Sequence, residues 1–174
     1  MSLKDLTKHK HTEAEQTPFM QAVVKGKMPA DVWANYTYNK MLCYSAIETK
    51  SRAENLLVDL PDIERTYKLY QDVKEMVGDN TPDYKDPAIE YHRYILDLTP
   101  GKVLAHLYVW HMGDLFGGQM IKKIMPDVPH RNLDFKDAEV LKMNIRSKLD
   151  DSLADEANVA FDWAIRIMNS YTIA

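Results

Sequence analysis

The stretch HLYVWHMGDLFGGQMIKKIM, residues 106–125, has the apolar content of a buried helix, yet it contains three of the six glycines of the chain. A glycine inside a helix costs about 0.5 to 1 kcal/mol relative to alanine. Gly113 and Gly117 lie one turn apart on one helix face, with Asp114 beside them. The pattern predicts a bare strip of backbone, bordered by an acid, that suits a flat ligand. Close packing of a second helix is the alternative, although the adjacent Gly118 favours a bend.

Apolar residues recur at intervals of three and four through the rest of the chain, which predicts helices rather than strands. The eight prolines mostly stand where these helices would begin or end. We therefore predict an all-α fold that forms a single domain over residues 1–174. The predicted helices cover residues 3–16, 18–26, 30–57, 61–78, 85–98, 100–125, 134–151 and 154–171.

Composition narrows the class of protein. The chain has 174 residues, 45% of them apolar, and a formal net charge of -4, which is typical of one soluble globular domain. The single cysteine, Cys43, excludes an intramolecular disulfide and a four-thiolate metal site, and it indicates a reducing, cytoplasmic location. No apolar run suits a membrane span, and the acidic total argues against nucleic-acid binding. We expect a monomer with no membrane or nucleic-acid partner.

The N-terminal segment KDLTKHKHTEAE, residues 4–15, places Lys4, His11 and Glu15 on one helix face. A neutral imidazole is a competent iron ligand. Lys4 would lie roughly 10 Å away along the helix axis, where it could reach an acidic edge of a ligand centred on that iron. A lone histidine is more often a solvated surface residue. That surface role is expected for His9, His92, His106, His111 and His130.

The segment KMNIRSK, residues 142–148, places Lys142 and Arg146 one helical turn apart. Two cations on one stripe can clamp a pair of carboxylates. Taken alone, such a pair is ordinarily a solvated helix face.

Two of these segments together resemble the haem oxygenase family. The motifs are HTEAE at residues 11–15 with PFM at 18–20, and GDLFGGQMIKKI at 113–124; they match in residue type, spacing and order. The resemblance spans nearly the whole chain and implies an all-α haem oxygenase-like fold, with haem between a proximal helix and a kinked distal helix. It also implies an enzyme that uses O2 and an external electron donor to open haem b, its substrate and cofactor, to biliverdin, Fe2+ and CO.

The resemblance also implies roles for individual residues. His11 is the expected metal ligand, and Glu15 orients it. Asp114 and Gly113 are the expected catalytic residues, with Asp114 organising water rather than binding iron. The other backbone positions over the porphyrin face are Gly117 and Gly118. The expected propionate contacts are Lys4, Tyr108, Lys142 and Arg146, with Lys8 as a weaker candidate.

Two positions depart from the better-known animal pattern of the family. Trp110 stands where an arginine is frequent, and Phe116 replaces the usual serine between the glycines. Each change removes a polar group, so the hydrogen bonds on the distal side are expected to differ. The chain resembles compact soluble forms of cyanobacteria and their phages, whose reductant is ferredoxin. A basic rim for this acidic partner is expected at Lys4, Lys8, Lys10, Lys122, Lys123, Lys142 and Lys148.

Other functions fit the sequence less well. A non-enzymatic haem carrier or sensor on the same fold would need the haem contacts but not Asp114. A carboxylate-bridged di-iron bundle needs glutamate followed three residues later by histidine, a spacing that none of the nine glutamates has. A cofactor-free, thiaminase-like enzyme would not explain His11 together with the glycine strip. The GxGxxG and GxxxxGK nucleotide signatures are absent.

Overall fold

The computed structural model describes residues 2–173, and every regular element in this range is helical. This confirms the expected all-α fold. Two 3-10 turns, at Arg131–Leu133 and Asp151–Leu153, accompany the α-helices. The helices are α1 (Leu3–Glu15), α2 (Pro18–Val24), α3 (Ala30–Ala53), α4 (Thr66–Val77), α5 (Asp86–Leu96), α6 (Val103–Ile124), α7 (Ala138–Arg146) and α8 (Ala154–Asn169).

The starts of α1 and α2 follow from their own sequence. Ser2 and Asp5 form a capping box, in which the Ser2 hydroxyl accepts the Asp5 N–H and the Asp5 carboxylate accepts the Ser2 N–H. At α2, the Thr17 hydroxyl accepts the N–H of Met20 and Pro18 occupies the first turn, where its missing N–H costs nothing. The first residues of α1 and α2 therefore agree with the predicted starts at residues 3 and 18.

The prediction of a helix from residue 61 was wrong, because α4 begins at Thr66. Asn55 and Asp62 have positive φ angles of 58° and 66°, which interrupt a right-handed helix. The start of α4 is set by Glu48 on α3, whose carboxylate accepts the backbone N–H groups of Arg65 and Thr66. A cap supplied from a distant helix leaves no local sequence signal.

The helix predicted over residues 134–151 is also shorter, since α7 covers only Ala138–Arg146. Tertiary contacts hold the preceding residues outside the helix. The guanidinium of Arg65 donates to the carbonyl of Asp134 and lies over the ring of Phe135, 4.0 Å from its centroid. Asp137 then adopts a left-handed conformation with φ 49° immediately before α7 begins.

Packing around α3 and α8 places the helices that carry the candidate residues. The main core surrounds α3, which packs against α4, α5 and α6, while α8 supports both α1 and α6. A second, smaller cluster contains Leu3, Ala105, Ala154 and Ala157, which come from α1, α6 and α8. This cluster, called here the alanine junction, joins α1 to α6. No helix in the described range is both long and apolar enough to cross a membrane.

Candidate functional site

The three glycines of α6 have different surroundings, although the helix continues through all of them. A Cβ atom at Gly113 or Gly117 would have no neighbouring atom within 4 Å. A Cβ atom at Gly118 would lie 3.2 Å from Cδ2 of Leu133. Packing against the 3-10 turn thus accounts for Gly118, contrary to the expectation that all three glycines border one open strip. The open strip consists of Gly113 and Gly117.

Asp114 adjoins this strip and is largely buried, with 12% of its side chain exposed. The Nζ atom of Lys40 lies 2.9 Å from its Oδ2 atom, and the hydroxyl of Tyr44 donates a 2.5 Å hydrogen bond to the same oxygen. Burial, together with the nearby charge of Asp114, raises the pKa of Tyr44 well above its usual value, so the phenol remains a donor. The carboxylate is therefore held by two groups of α3.

His11 projects from α1 with 59% of its side chain exposed. Its Nδ1 atom lies 3.1 Å from Oε1 of Glu15, one turn further along the helix. The ring of Phe161 on α8 meets the imidazole edge to face, with the centroids 5.9 Å apart. Donation of Nδ1–H to Glu15 leaves the Nε2 lone pair for a metal, which is the arrangement that histidine ligands commonly use.

The cations of α7 lie beside the open strip. Phe116, between Gly113 and Gly117 in sequence, has an exposed ring with Nζ of Lys142 4.6 Å from its centroid and Cζ of Arg146 5.4 Å from it. Both distances are within the range of a cation–π contact. The aromatic ring that replaces a polar residue of the family pattern therefore contacts both basic residues.

The residues expected on α1 are placed by the alanine junction. His11 lies eight residues after Leu3, and Gly113 lies eight residues after Ala105, so each is about 12 Å along its helix from the junction. Lys4 and Lys8 are exposed on α1, and Tyr108 is partly buried against the junction. Within residues 2–173, no hydrogen bond or cation–π contact links these three side chains to Lys142 or Arg146.

Three polar residues beneath the strip were not predicted from the sequence, namely Lys40, Tyr44 and Glu48, and a fourth, His111, was given the wrong role. The surface role expected for His111 was wrong, because its side chain is fully buried. Its Nε2 atom lies 2.7 Å from Oε2 of Glu48, and its ring stacks on Tyr44 at 4.3 Å. A sequence signal did exist, since Lys40, Tyr44 and Glu48 recur every four residues and form a polar stripe on a helix rich in apolar residues.

The surface role expected for His106 was wrong for the same reason. Its fully buried ring accepts a 2.6 Å hydrogen bond from Tyr91 at Nδ1 and donates a 3.0 Å bond from Nε2 to Glu156. Burial lowers the pKa of His106, so the neutral ring fits both partners. Trp110 joins the same network, because its Nε1–H donates to the hydroxyl of Tyr91.

Comparison with known proteins identifies relatives along the whole chain. Residues 1–170 match the family described as Heme oxygenase. Heme oxygenase 2 of Macaca fascicularis is 28% identical over 199 aligned residues, which cover 96% of this chain and 63% of the macaque protein. Heme oxygenase 1 of Synechocystis sp. PCC 6803 is 26% identical, with 96% of this chain and 82% of that protein covered.

Solved structures show the same fold. The crystal structure of heme oxygenase-1 from Synechocystis sp. PCC6803 in complex with heme has a TM-score of 0.86 at 24% identity, and covers 97% of this chain and 89% of that chain. Heme oxygenase from Leptospira interrogans has a TM-score of 0.87 at 24% identity, with 97% of both chains covered. At this identity the structures support the fold alone; the family match over nearly every residue shows that the chain belongs to the heme oxygenase family.

Proposed function

We propose that this protein is a haem oxygenase that binds haem b between α1 and α6 and opens the macrocycle to biliverdin, Fe2+ and CO. The observation that carries the proposal is a fixed carboxylate beside open backbone: Asp114, held by Lys40 and Tyr44, borders the strip of Gly113 and Gly117. A Cβ atom at either glycine would project into the space that a flat ring needs. The residues present therefore fit a porphyrin.

The binding contacts follow from this placement. Nε2 of His11 is the iron ligand, and the hydrogen bond between Nδ1 and Glu15 orients the imidazole. Lys142 and Arg146, beside Phe116, bind propionate carboxylates at the edge of the strip. The other proposed propionate contacts are Lys4, Tyr108 and Lys8 on α1 and α6. The backbone of Gly118 completes the distal surface, although its Cβ direction points to Leu133.

The bound haem would supply the redox chemistry and the ring that is oxidised, with O2 as co-substrate and electrons from an external donor. The chain orients the haem and excludes bulk water from it. The chain also supplies the protons that the reaction needs. Asp114 uses Oδ2 for Lys40 and Tyr44, so its Oδ1 atom is proposed to hold a water that delivers protons to the distal side. We propose ferredoxin or a similar acidic protein as donor. The monomeric, single-domain, cytoplasmic state stays a prediction.

A non-enzymatic haem carrier is the second candidate on the same fold. It would need His11, Glu15 and the cations of α7, but it would gain nothing from a carboxylate fixed over the ring. The two buried groups that hold Asp114 favour the enzyme, because a desolvated ion pair is costly to maintain without a role.

The proposal is tested by titrating purified apoprotein with hemin and then supplying reductant and O2. We expect a saturable one-to-one complex with an imidazole-ligand spectrum, followed by loss of the Soret band and formation of a bilin identified by chromatography. In His11→Ala the imidazole spectrum should disappear and return on addition of imidazole. A complex that binds oxygen and releases it unchanged would instead indicate a carrier.

Asp114→Asn separates binding from turnover. Because Asn keeps the size of the side chain but lacks its charge, hemin affinity should change less than threefold, whereas the bilin yield should fall by at least tenfold. A normal bilin yield from Asp114→Asn would remove Asp114 from the proposed mechanism.

A further inference from the structure

Lys40, on α3, is a buried cation. Only 9% of its side chain is exposed, whereas lysine is rarely buried unless it has a partner. That partner is Asp114, whose Oδ2 atom lies 2.9 Å from the ammonium. The ring of Tyr44 lies below the same ammonium, with its centroid 5.2 Å away. Lys40 therefore faces Asp114 at a nearly desolvated position.

A chain of hydrogen bonds gives Lys40 a second partner besides Asp114. Its Nζ atom donates to Oδ1 of Asn132 at 3.3 Å. The Asn132 amide is fixed by Asp72 on α4, which accepts hydrogen bonds from both its Nδ2 atom and its backbone N–H, at 2.8 Å and 3.0 Å. Because Asp72 takes the amide nitrogen, the amide oxygen must face Lys40. The ammonium is thus positioned by α4 through Asn132 of the 3-10 turn, in addition to Asp114 on α6.

Trp110 on α6 supplies no charge to Asp114. Trp110, at the position where the family pattern often has an arginine, donates its only polar hydrogen to Tyr91. The backbone carbonyl of Trp110 lies 3.0 Å from the Tyr44 hydroxyl, but the single phenol proton goes to Asp114, whose oxygen is closer at 2.5 Å. Lys40 on α3 is therefore the cation that contacts this carboxylate.

We propose that Lys40 is the positioning residue of the distal site. Lys40 lies on α3 and takes the place of the arginine that is frequent in the family at position 110 of α6, where this chain has Trp110. Its ammonium balances the charge of Asp114 and holds Oδ2, so that Oδ1 is presented to water beside Gly113 and Gly117. The inference rests on the proposed function, and it identifies the group through which proton delivery is oriented.

The pairing is tested first in the apoprotein, with Lys40→Met, Asp114→Asn and the double variant. Loss of one partner of a buried ion pair leaves an uncompensated charge, so Lys40→Met should reduce the folding equilibrium constant by about 150-fold or more, and the double variant should recover much of that loss. Lys74→Met is the matched control, because Lys74 forms an exposed pair with Asp79. Additive effects of the two single substitutions would overturn the pairing.

The role is tested in the ferric hemin complex by following its acid-to-alkaline transition in the absorption spectrum. Removal of a nearby positive charge disfavours the more negative alkaline form, so in Lys40→Met the midpoint should rise by about 0.5 to 1 pH unit. Lys40→Arg should restore the wild-type midpoint, and Lys74→Met should leave the midpoint unchanged. If Lys40→Met does not fold, the double variant and Lys40→Arg provide the comparison.

The two tests separate the two proposals. Hemin binding by the wild type with an unchanged midpoint in Lys40→Met would overturn the role of Lys40 alone. Failure of the wild type to bind hemin, with the apoprotein coupling present, would overturn the proposed function while leaving the ion pair established.

Discussion

Lys142 on α7 places its Nζ atom 4.6 Å from the ring centroid of Phe116 on α6. The ring supports the cation at the edge of the open strip, and the carboxylate of Glu139 is a second neighbour at 3.1 Å. Lys142 and Arg146 are therefore held next to α6 by contacts within the protein itself. This preorganisation reduces the entropy cost of binding an anionic group.

The first prediction concerns these cations. Lys142→Gln and Arg146→Gln should each weaken hemin binding by about tenfold, because a charge-assisted hydrogen bond contributes about 1.5 to 3 kcal/mol. Phe116→Leu keeps the apolar bulk but removes the cation–π contact, so its effect should be smaller, about two- to fivefold. Hemin titration followed by absorbance measures all three. Equal affinity in the wild type and both α7 variants would exclude α7 from the haem contacts.

The second prediction separates the three glycines. Gly113→Ala and Gly117→Ala should raise the free energy of unfolding of the apoprotein by about 0.5 to 1 kcal/mol, because helix propensity improves and nothing obstructs the new methyl group. The same methyl would meet a bound porphyrin, so hemin affinity should fall by at least tenfold.

Gly118→Ala provides the matched contrast. Its methyl group would lie 3.2 Å from Cδ2 and 3.3 Å from Cβ of Leu133. The crowding should offset the gain in helix propensity, so Gly118→Ala should stabilise the fold less than Gly113→Ala or Gly117→Ala does, with little change in hemin affinity. Urea unfolding measures the folding stability of each variant, and hemin titration measures its hemin affinity. Unchanged hemin affinity in Gly113→Ala and Gly117→Ala would place the ligand elsewhere.

The third prediction concerns pH. Burial lowers the pKa of His106 below its usual value of 6.5, so between pH 7 and pH 5 the unfolded chain binds this proton more readily than the folded chain. Stability must therefore fall as the pH falls through 6.5, by up to about 1.4 kcal/mol per pH unit for one group. His106→Gln can keep both hydrogen bonds without titrating, so it should flatten the dependence. Urea unfolding at several pH values measures the free energy of unfolding of the wild type and of His106→Gln. If the two proteins showed the same dependence on pH, His106 would not be its cause.

The fourth prediction concerns the electron donor. Lys8 is exposed on α1, whereas Lys10 is paired with Asp162 at 2.6 Å. If an acidic ferredoxin docks at the basic rim, turnover should slow as ionic strength rises, and Lys8→Glu should reduce the rate severalfold at saturating hemin, where a weaker propionate contact no longer limits the rate. Lys74→Glu, outside the rim, should have little effect. Turnover that responds to neither salt nor Lys8→Glu would rule out docking at the rim.

The sequence predicted those features whose cause is local. The eight helices follow from apolar periodicity, and the start of α1 follows from Ser2 and Asp5. The start of α4 could not be predicted, because Glu48 caps it from another helix. The open strip was recognised from Gly113 and Gly117, but nothing in the neighbouring sequence distinguishes them from Gly118, whose packing partner Leu133 is known only from the fold.

The partners of Asp114 could not be predicted either, because they too are distant in the sequence. Lys40 and Tyr44 lie 74 and 70 positions away in sequence. Their polar character was visible as a stripe on α3, but its direction relative to α6 depends on how the two helices pack. Pairings of this kind become predictable only when the tertiary arrangement is known.

The alanine junction also determines how sensitive the site is to distant changes. The small side chains of Ala105, Ala154 and Ala157 leave room for Leu3 of α1 to pack between α6 and α8. A larger residue at Ala157 would tilt α1 about this point, and a tilt of about 5° would displace His11, about 12 Å along the helix, by about 1 Å. Altered iron coordination can therefore arise from a substitution that touches neither the imidazole nor the ligand.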